Sequence, residues 1–93
     1  MKLLIINGPN LNLLGQREPG IYGHGTMEEC MTALRQRYPD HELEYYQSNV
    51  EGFLIDRLQQ ANAEGFEGAV LNAGAYTHTS IALHDCIRSL HFP

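Results

Sequence analysis

Apolar residues recur along this chain in two rhythms. Leu3-Leu4-Ile5-Ile6 is an unbroken apolar run closed by Asn7-Gly8-Pro9. Runs of that kind suit parallel strands covered on both faces. Residues 7–25 follow, with five glycines, two prolines and no period. A loop of that length in a small domain is usually functional or mobile. Thr26-Met27-Glu28-Glu29 then reads as a capping box, with Thr26 holding exposed amides and Glu29 reaching back. Met27, Cys30, Met31, Leu34 and Tyr38 recur at helical spacing, and Pro39-Asp40 ends that helix. Glu42–Gln47 alternates imperfectly and predicts a second strand, near a sheet edge. Ser48-Asn49 makes a turn. Phe53, Leu54, Leu58 and Ala61 share one face of a second helix that Gly65 ends. Gly68-Ala69-Val70-Leu71 predicts a third short buried strand, and residues 72–79 a polar loop. Leu83, Ile87 and Leu90 mark a third helix, capped by Thr79 or Ser80.

Strands alternating with helices imply an α/β fold with a parallel sheet and right-handed crossovers. Residues 1–93 are expected to form a single domain. Pro93 stands where a helix-to-strand turn should feed a fourth strand. The expectation is the front of a longer domain cut before that strand, with the third strand left as an unprotected edge.

Composition narrows the partners. Six Lys and Arg stand against eleven Asp and Glu, a formal charge of −5. Nucleic acid and anionic membranes both call for a cationic face, so neither is an expected partner. A 43% hydrophobic content suits a folded core rather than a disordered chain. No run nears the roughly 20 apolar residues of a membrane span, and Met1–Ile6 is too short for a secretory signal. Two cysteines, Cys30 and Cys86, are too few for a disulfide framework. The expected setting is the reducing cytoplasm, with both thiols free.

Ligands of open α/β sheets bind beyond the carboxyl ends of the strands, where strand order reverses. In the order 2-1-3 that point lies between the first and third strands. The two most polar loops, 7–25 and 72–79, follow those strands. The first offers Asn10, Asn12, Arg17, Glu18 and Tyr22. Its asparagines also suit turns and left-handed backbone. Tyr22 stands five residues after Arg17. A free tyrosine titrates near pH ~10, and a nearby guanidinium favours the phenolate and lowers that value. Such a tyrosine can serve as a general base. Equally, it can pack on the loop beside a solvated arginine, and the residues alone leave both readings open. The second loop runs into a helix N-terminus, whose amides attract an anion such as a carboxylate. His78 and the hydroxyls of Thr77, Thr79 and Ser80 can add donors there. His24, His41 and His91 read as surface residues.

Other chemistries do not fit. Gly23-His24-Gly25 lacks the third glycine of a dinucleotide fingerprint, and its strand is far upstream. There is no phosphate loop, no nucleophile elbow and no His or Cys pair at metal spacing. The single lysine, Lys2, enters the first strand at the end opposite the proposed site. Schiff-base catalysis is therefore not expected.

Residues 6–15 read Ile-Asn-Gly-Pro-Asn-Leu-Asn-Leu-Leu-Gly. Arg17-Glu18-Pro19, Tyr22-Gly23, Gln47-Ser48-Asn49, Leu71-Asn72-Ala73-Gly74 and Thr77-His78-Thr79-Ser80 follow in order. Together they resemble type II 3-dehydroquinate dehydratase of the shikimate and quinate pathways, collinearly over all 93 residues. The resemblance implies a flavodoxin-like fold and a cofactor-free anti elimination of water from 3-dehydroquinate, giving 3-dehydroshikimate. It makes Tyr22 the base that removes a proton beside the ketone, with Arg17 lowering its pKa. By the same resemblance Asn10 corresponds to a residue that helps to hold a water on the developing enolate. Asn72 and His78 correspond to substrate-hydroxyl ligands, and Asn12 is placed with the substrate-binding residues. Asp85 corresponds to an acidic residue that reaches a neighbouring subunit's site. The resemblance also implies a homo-oligomer built from trimers, often a dodecamer. The family's next strand carries a His-Ile-Ser-Asn-type segment with the general acid and much of the carboxylate site, followed by an arginine. The sequence reaches Pro93 before any of them.

Two other readings accompany this one. A non-catalytic binding or assembly module of the same fold would bind dehydroquinate without turnover. A flavodoxin-like nucleotide or flavin binder would carry a chromophore or nucleotide, although the acidic, Asn-rich first loop has no phosphate cradle.

Overall fold

The computed structural model describes residues 1–15 and 25–93. Three strands, β1 (Lys2–Asn7), β2 (Glu42–Gln47) and β3 (Gly68–Asn72), form a parallel sheet in the order β2-β1-β3. Four α-helices accompany them among the described residues: α1 (Met27–Arg37), α2 (Glu51–Ala63), α3 (Tyr76–Thr79) and α4 (Ile81–Ser89). The parallel sense is as the alternation of patterns predicts, and the order β2-β1-β3 is the 2-1-3 expected of a flavodoxin-like fold. β1 is central, and its register runs Leu3↔Leu43 to Asn7↔Gln47 on one side and Leu3↔Gly68 to Asn7↔Asn72 on the other. The three strands therefore end level with one another, and Asn7, Gln47 and Asn72 stand side by side at the carboxyl edge.

The core lies on one face of this sheet. Leu4 and Ile6 of β1 meet Leu54, Leu58 and Ala61 of α2 and Leu83 and Cys86 of α4, with Phe66 closing the lower end. Leu4, Ile6, Leu54 and Leu58 are fully buried, each such side chain stabilising the fold by about 1.5–3 kcal/mol. Met31 of α1 is buried apart from that cluster. The Arg35 guanidinium of the same helix donates twice to the Leu43 carbonyl, at 3.2 and 3.0 Å, and ties α1 to β2.

Local signals set the helix ends. Thr26 caps α1 by accepting the Glu29 N–H at 3.1 Å. The return bond from the Glu29 carboxylate is not among the described contacts, so half of the capping box forms. Ser80 rather than Thr79 caps α4, its hydroxyl accepting the Leu83 N–H at 2.9 Å. Gly65 follows α2 at φ +80°, the left-handed geometry of a helix stop.

Four expectations need correction. Residues 72–79 are not all loop: Tyr76–Thr79 forms the single turn α3, and Ser80, in extended backbone, separates it from α4. Phe53 does not join the face made by Leu54, Leu58 and Ala61 but is 55% exposed, because it lies next to Leu54 and turns about 100° away from it. The third strand is not buried on both faces: Val70 is 64% exposed while Ala69 and Leu71 pack on the core. Finally, the outer edge of β3 is not bare, since the Pro93 carbonyl accepts the Ala69 N–H at 2.9 Å.

Lys2 sits at the amino edge of the sheet. Its Nζ lies 4.4 Å from the centroid of the Phe66 ring, and Arg57 lies 5.2 Å from the same ring. Arg57 also pairs with Glu44 at 2.8 Å and Glu64 at 3.5 Å. The strand then runs five residues beyond Lys2 to the carboxyl edge at Asn7, a distance of ~16–17 Å at the usual rise per residue.

Both cysteines are free; Cys30 is exposed and Cys86 is buried. Burial, and secondarily the adjacent Asp85 carboxylate, push the Cys86 thiol above its ordinary range. Among the described residues no helix is long and apolar enough to cross a membrane, and no group of three or more His, Cys, Asp or Glu is placed to hold a metal ion.

Candidate active site

Three loops leave the carboxyl edge and are bonded to one another within a few residues. β1 hands directly to β3: the Gly8 N–H donates to the Asn72 carbonyl at 2.7 Å. The contact is so close that a Cβ on Gly8 would lie 2.6 Å from the Ala73 carbonyl oxygen. A second crossing follows, where Gly74 takes φ +59° and a Cβ on it would lie 3.1 Å from the Pro9 carbonyl oxygen. Asn72 supports that turn by accepting the Gly74 N–H on Oδ1 at 3.1 Å. Glycines are required at these two positions because backbone meets backbone there.

Asn10 begins a short 3-10 turn, Leu11–Leu13, and is the non-glycine residue with positive φ among those described, at +70°. Asparagine tolerates that region better than most residues. Its carbonyl accepts the Leu13 N–H at 3.1 Å, and its own N–H donates to Asn49 Oδ1 at 3.0 Å. Gln47 stands beneath. Its Nε2 donates to the Gly8 carbonyl and to Asn49 Oδ1, both at 3.1 Å, and approaches Asn12 Oδ1 at 3.5 Å. Asn10 and Asn12 are thus brought together by the end of β2. From the other side, the Tyr76 hydroxyl donates to the Asn49 carbonyl at 2.8 Å and binds α3 to the same point.

His78 is exposed on α3. It lines an open groove of about 450 Å³ with Thr77, Thr79, Ser80, Ile81 and His84. A neighbouring groove of about 270 Å³ runs between Leu71, Ala73 and Tyr76 on one side and His84 and Ile87 on the other. The expected residues therefore divide. Asn10, Asn12 and Asn72 share the carboxyl edge of the sheet, and His78 rises from the loop that continues from it. Asp85 is exposed on α4, and among the described residues no hydrogen bond links it to the others. Arg17 and Tyr22 lie outside the described residues.

The organising role of Gln47 and Asn49 was not evident from spacing, which shows Ser48-Asn49 only as a turn. A signal was available: a Gln-x-Asn pair that begins on the last residue of a strand, at the edge where the other two loops meet. Ser48 is buried there, its N–H donating to the Asn7 carbonyl at 3.1 Å and its hydroxyl accepting the Val50 N–H at 3.0 Å. Gln47 and Asn49 are thereby aimed in the same direction.

A family described as Dehydroquinase class II matches residues 1–93, the whole of the sequence. The chain belongs to the class II dehydroquinase family. Within it, a 3-dehydroquinate dehydratase from a Synechococcus strain is 53% identical over 95 aligned residues, covering 100% of this chain and 64% of the relative. A catabolic 3-dehydroquinase from Clavispora lusitaniae is 50% identical, covering 99% of this chain and 66% of its own length. The crystal structure of type II dehydroquinase from Butyrivibrio crossotus superposes with a TM-score of 0.89 at 47% identity, over 96% of this chain and 63% of that one. The chain thus spans about 64% of the length of curated relatives in its family.

Proposed function

We propose that these residues carry the base-and-enolate half of a 3-dehydroquinate dehydratase. The reaction is the anti elimination of water from 3-dehydroquinate to give 3-dehydroshikimate. The observation that supports this most strongly is the convergence of Asn10, Asn12 and Asn72 at one sheet edge, in a chain whose whole length matches the family. Tyr22 takes the proton from the carbon beside the ketone, and the electron pair passes to the carbonyl oxygen as an enolate. Arg17 keeps Tyr22 ionised. Asn10 holds a water on the enolate oxygen. As the enolate collapses, the carbon–oxygen bond to the hydroxyl breaks and the hydroxyl leaves as water once it is protonated. The steps are proton transfers and one carbon–oxygen cleavage that leaves a carbon–carbon double bond, so no electrons are gained or lost overall. We assign the proton donor to none of residues 1–93.

Asn72 and His78 bind the substrate's hydroxyl groups, Asn12 is a further substrate-binding residue, and Asp85 completes a neighbouring subunit's site. That arrangement calls for a homo-oligomer, and we propose trimers that assemble further, up to a dodecamer, in the cytoplasm. The exposure of Asp85 on α4 suits such a reach.

The test is an assay of the intact protein with 3-dehydroquinate, following the conjugated enone of the product by its ultraviolet absorbance. Dehydration that depends on Tyr22 supports the reading. Binding of 3-dehydroquinate without turnover supports a binding module instead, and absence of both overturns the reading outright.

A further inference from the structure

Asn10 occupies an unfavourable backbone region at φ +70°, and non-glycine residues persist there when their surroundings over-determine them. Here the surroundings are a small set of directed bonds. The Asn10 N–H can only donate, so the atom of Asn49 that receives it at 3.0 Å must be Oδ1. The Gln47 group facing that oxygen must then be the donor Nε2, and the Gly8 carbonyl beside it requires a donor too. All these demands are met by one orientation of each amide. The pair is anchored at the end of β2 by the buried Ser48 and joined to the second loop by the Tyr76 hydroxyl. The first loop's turn and the second loop's helix α3 are therefore held at a fixed separation through the backbone and side chain of a single residue.

From this we propose that Gln47 and Asn49 are positioning residues of the dehydratase site, acting on the enolate-stabilising Asn10 and on α3 rather than on substrate. The inference rests on the function proposed above. Without Asn49 Oδ1, the Asn10 N–H loses its partner and the residue is free to leave the left-handed region. The side chain then no longer points at one place. Misplacement of a stabilising group by about 1 Å can cost on the order of 10²-fold in rate. A group used only as charge on the enolate forms acts on the transition state, so the loss falls on kcat rather than KM.

The experiment compares Asn49→Ala and Asn49→Asp in the intact protein. Asn49→Ala removes the acceptor, and is expected to lower kcat by about 10- to 100-fold with KM nearly unchanged. It should also speed hydrogen exchange at the Asn10 amide. Asn49→Asp keeps an oxygen for both donors, and is expected to recover most of kcat and the slow exchange. Tyr76→Phe, which deletes one hydroxyl and keeps the ring, should lower kcat about 10-fold or less. It decides the matter if Asn49→Ala does not fold. An active protein in which Asn49→Ala and Tyr76→Phe both keep wild-type kcat overturns this inference alone. So does equal loss in Asn49→Ala and Asn49→Asp. A wild-type protein that does not dehydrate 3-dehydroquinate overturns it together with the function.

Discussion

The N–H of Gly8 donates to the carbonyl of Asn72 at 2.7 Å, continuing the β1–β3 ladder past its last register pair, Asn7↔Asn72. This bond carries the two polar loops away from the sheet already in contact. It is made at a position where a side chain would strike backbone, at 2.6 Å from the Ala73 carbonyl oxygen. Gly8→Ala must therefore push the loops apart. Overpacking of this kind typically costs about 1–3 kcal/mol. Urea unfolding should show a lower midpoint, and activity should fall further than stability does, because the strain sits at the site. A variant as stable and active as wild type would show that the loops are not held this closely.

Tyr22 and Arg17 carry the proposed proton abstraction. Tyr22→Phe is expected to lower kcat by at least about 10²-fold while 3-dehydroquinate still binds. Arg17→Ala should be nearly as damaging and should also move the pH–rate profile. The base must be ionised to act, and removing the cation makes ionisation harder. The rising, low-pH limb should thus shift to higher pH. A limb that stays in place means that Arg17 does not tune Tyr22.

Lys2 is held over Phe66 at the amino edge of the sheet, with the length of β1 between it and the carboxyl edge. Borohydride added during turnover should trap no covalent adduct. Intact-mass measurement settles this, and a substrate-sized mass gain on Lys2 would contradict both the mechanism and the placement of the site.

The two thiols should separate cleanly. Cys30 is exposed and should react with a thiol reagent in the native protein, whereas Cys86 is buried and should react only on unfolding. Burial first, and then Asp85, raise the Cys86 pKa. The fold therefore favours the neutral thiol, and the stability tied to it is intact below the ordinary thiol value of ~8.5. Above that value the unfolded chain loses its proton first, so stability falls as pH rises toward the folded-state value. Denaturation midpoints of wild type and Cys86→Ala, measured from pH 7 to 10, should differ in slope in that direction. Parallel slopes would show that Cys86 is not buried as described.

Much of this molecule is local in origin. The apolar run Leu3–Ile6, the helical spacing through Met31 and through Leu54 and Leu58, and the caps at Thr26 and Ser80 each lie within a few residues of one another. Side-chain period and backbone capping act at that range, so the sequence alone determined β1, β2, β3 and the three long helices. It also determined which loops follow strands one and three, and with the motifs of those loops, the family. What it could not reach depends on residues far apart in the chain. Val70 and Phe53 carry the same apolar character as buried neighbours, and their exposure was decided by which faces α2 and α4 left open. Gln47 and Asn49 read as the tail of a strand and a turn, because their partners at Gly8, Asn10 and Tyr76 lie 27 to 39 residues away. A hydrogen bond carries no mark in the local pattern of the residues that make it. Only the level ending of three parallel strands, fixed by sheet register, brings those groups within 3.1 Å of their partners.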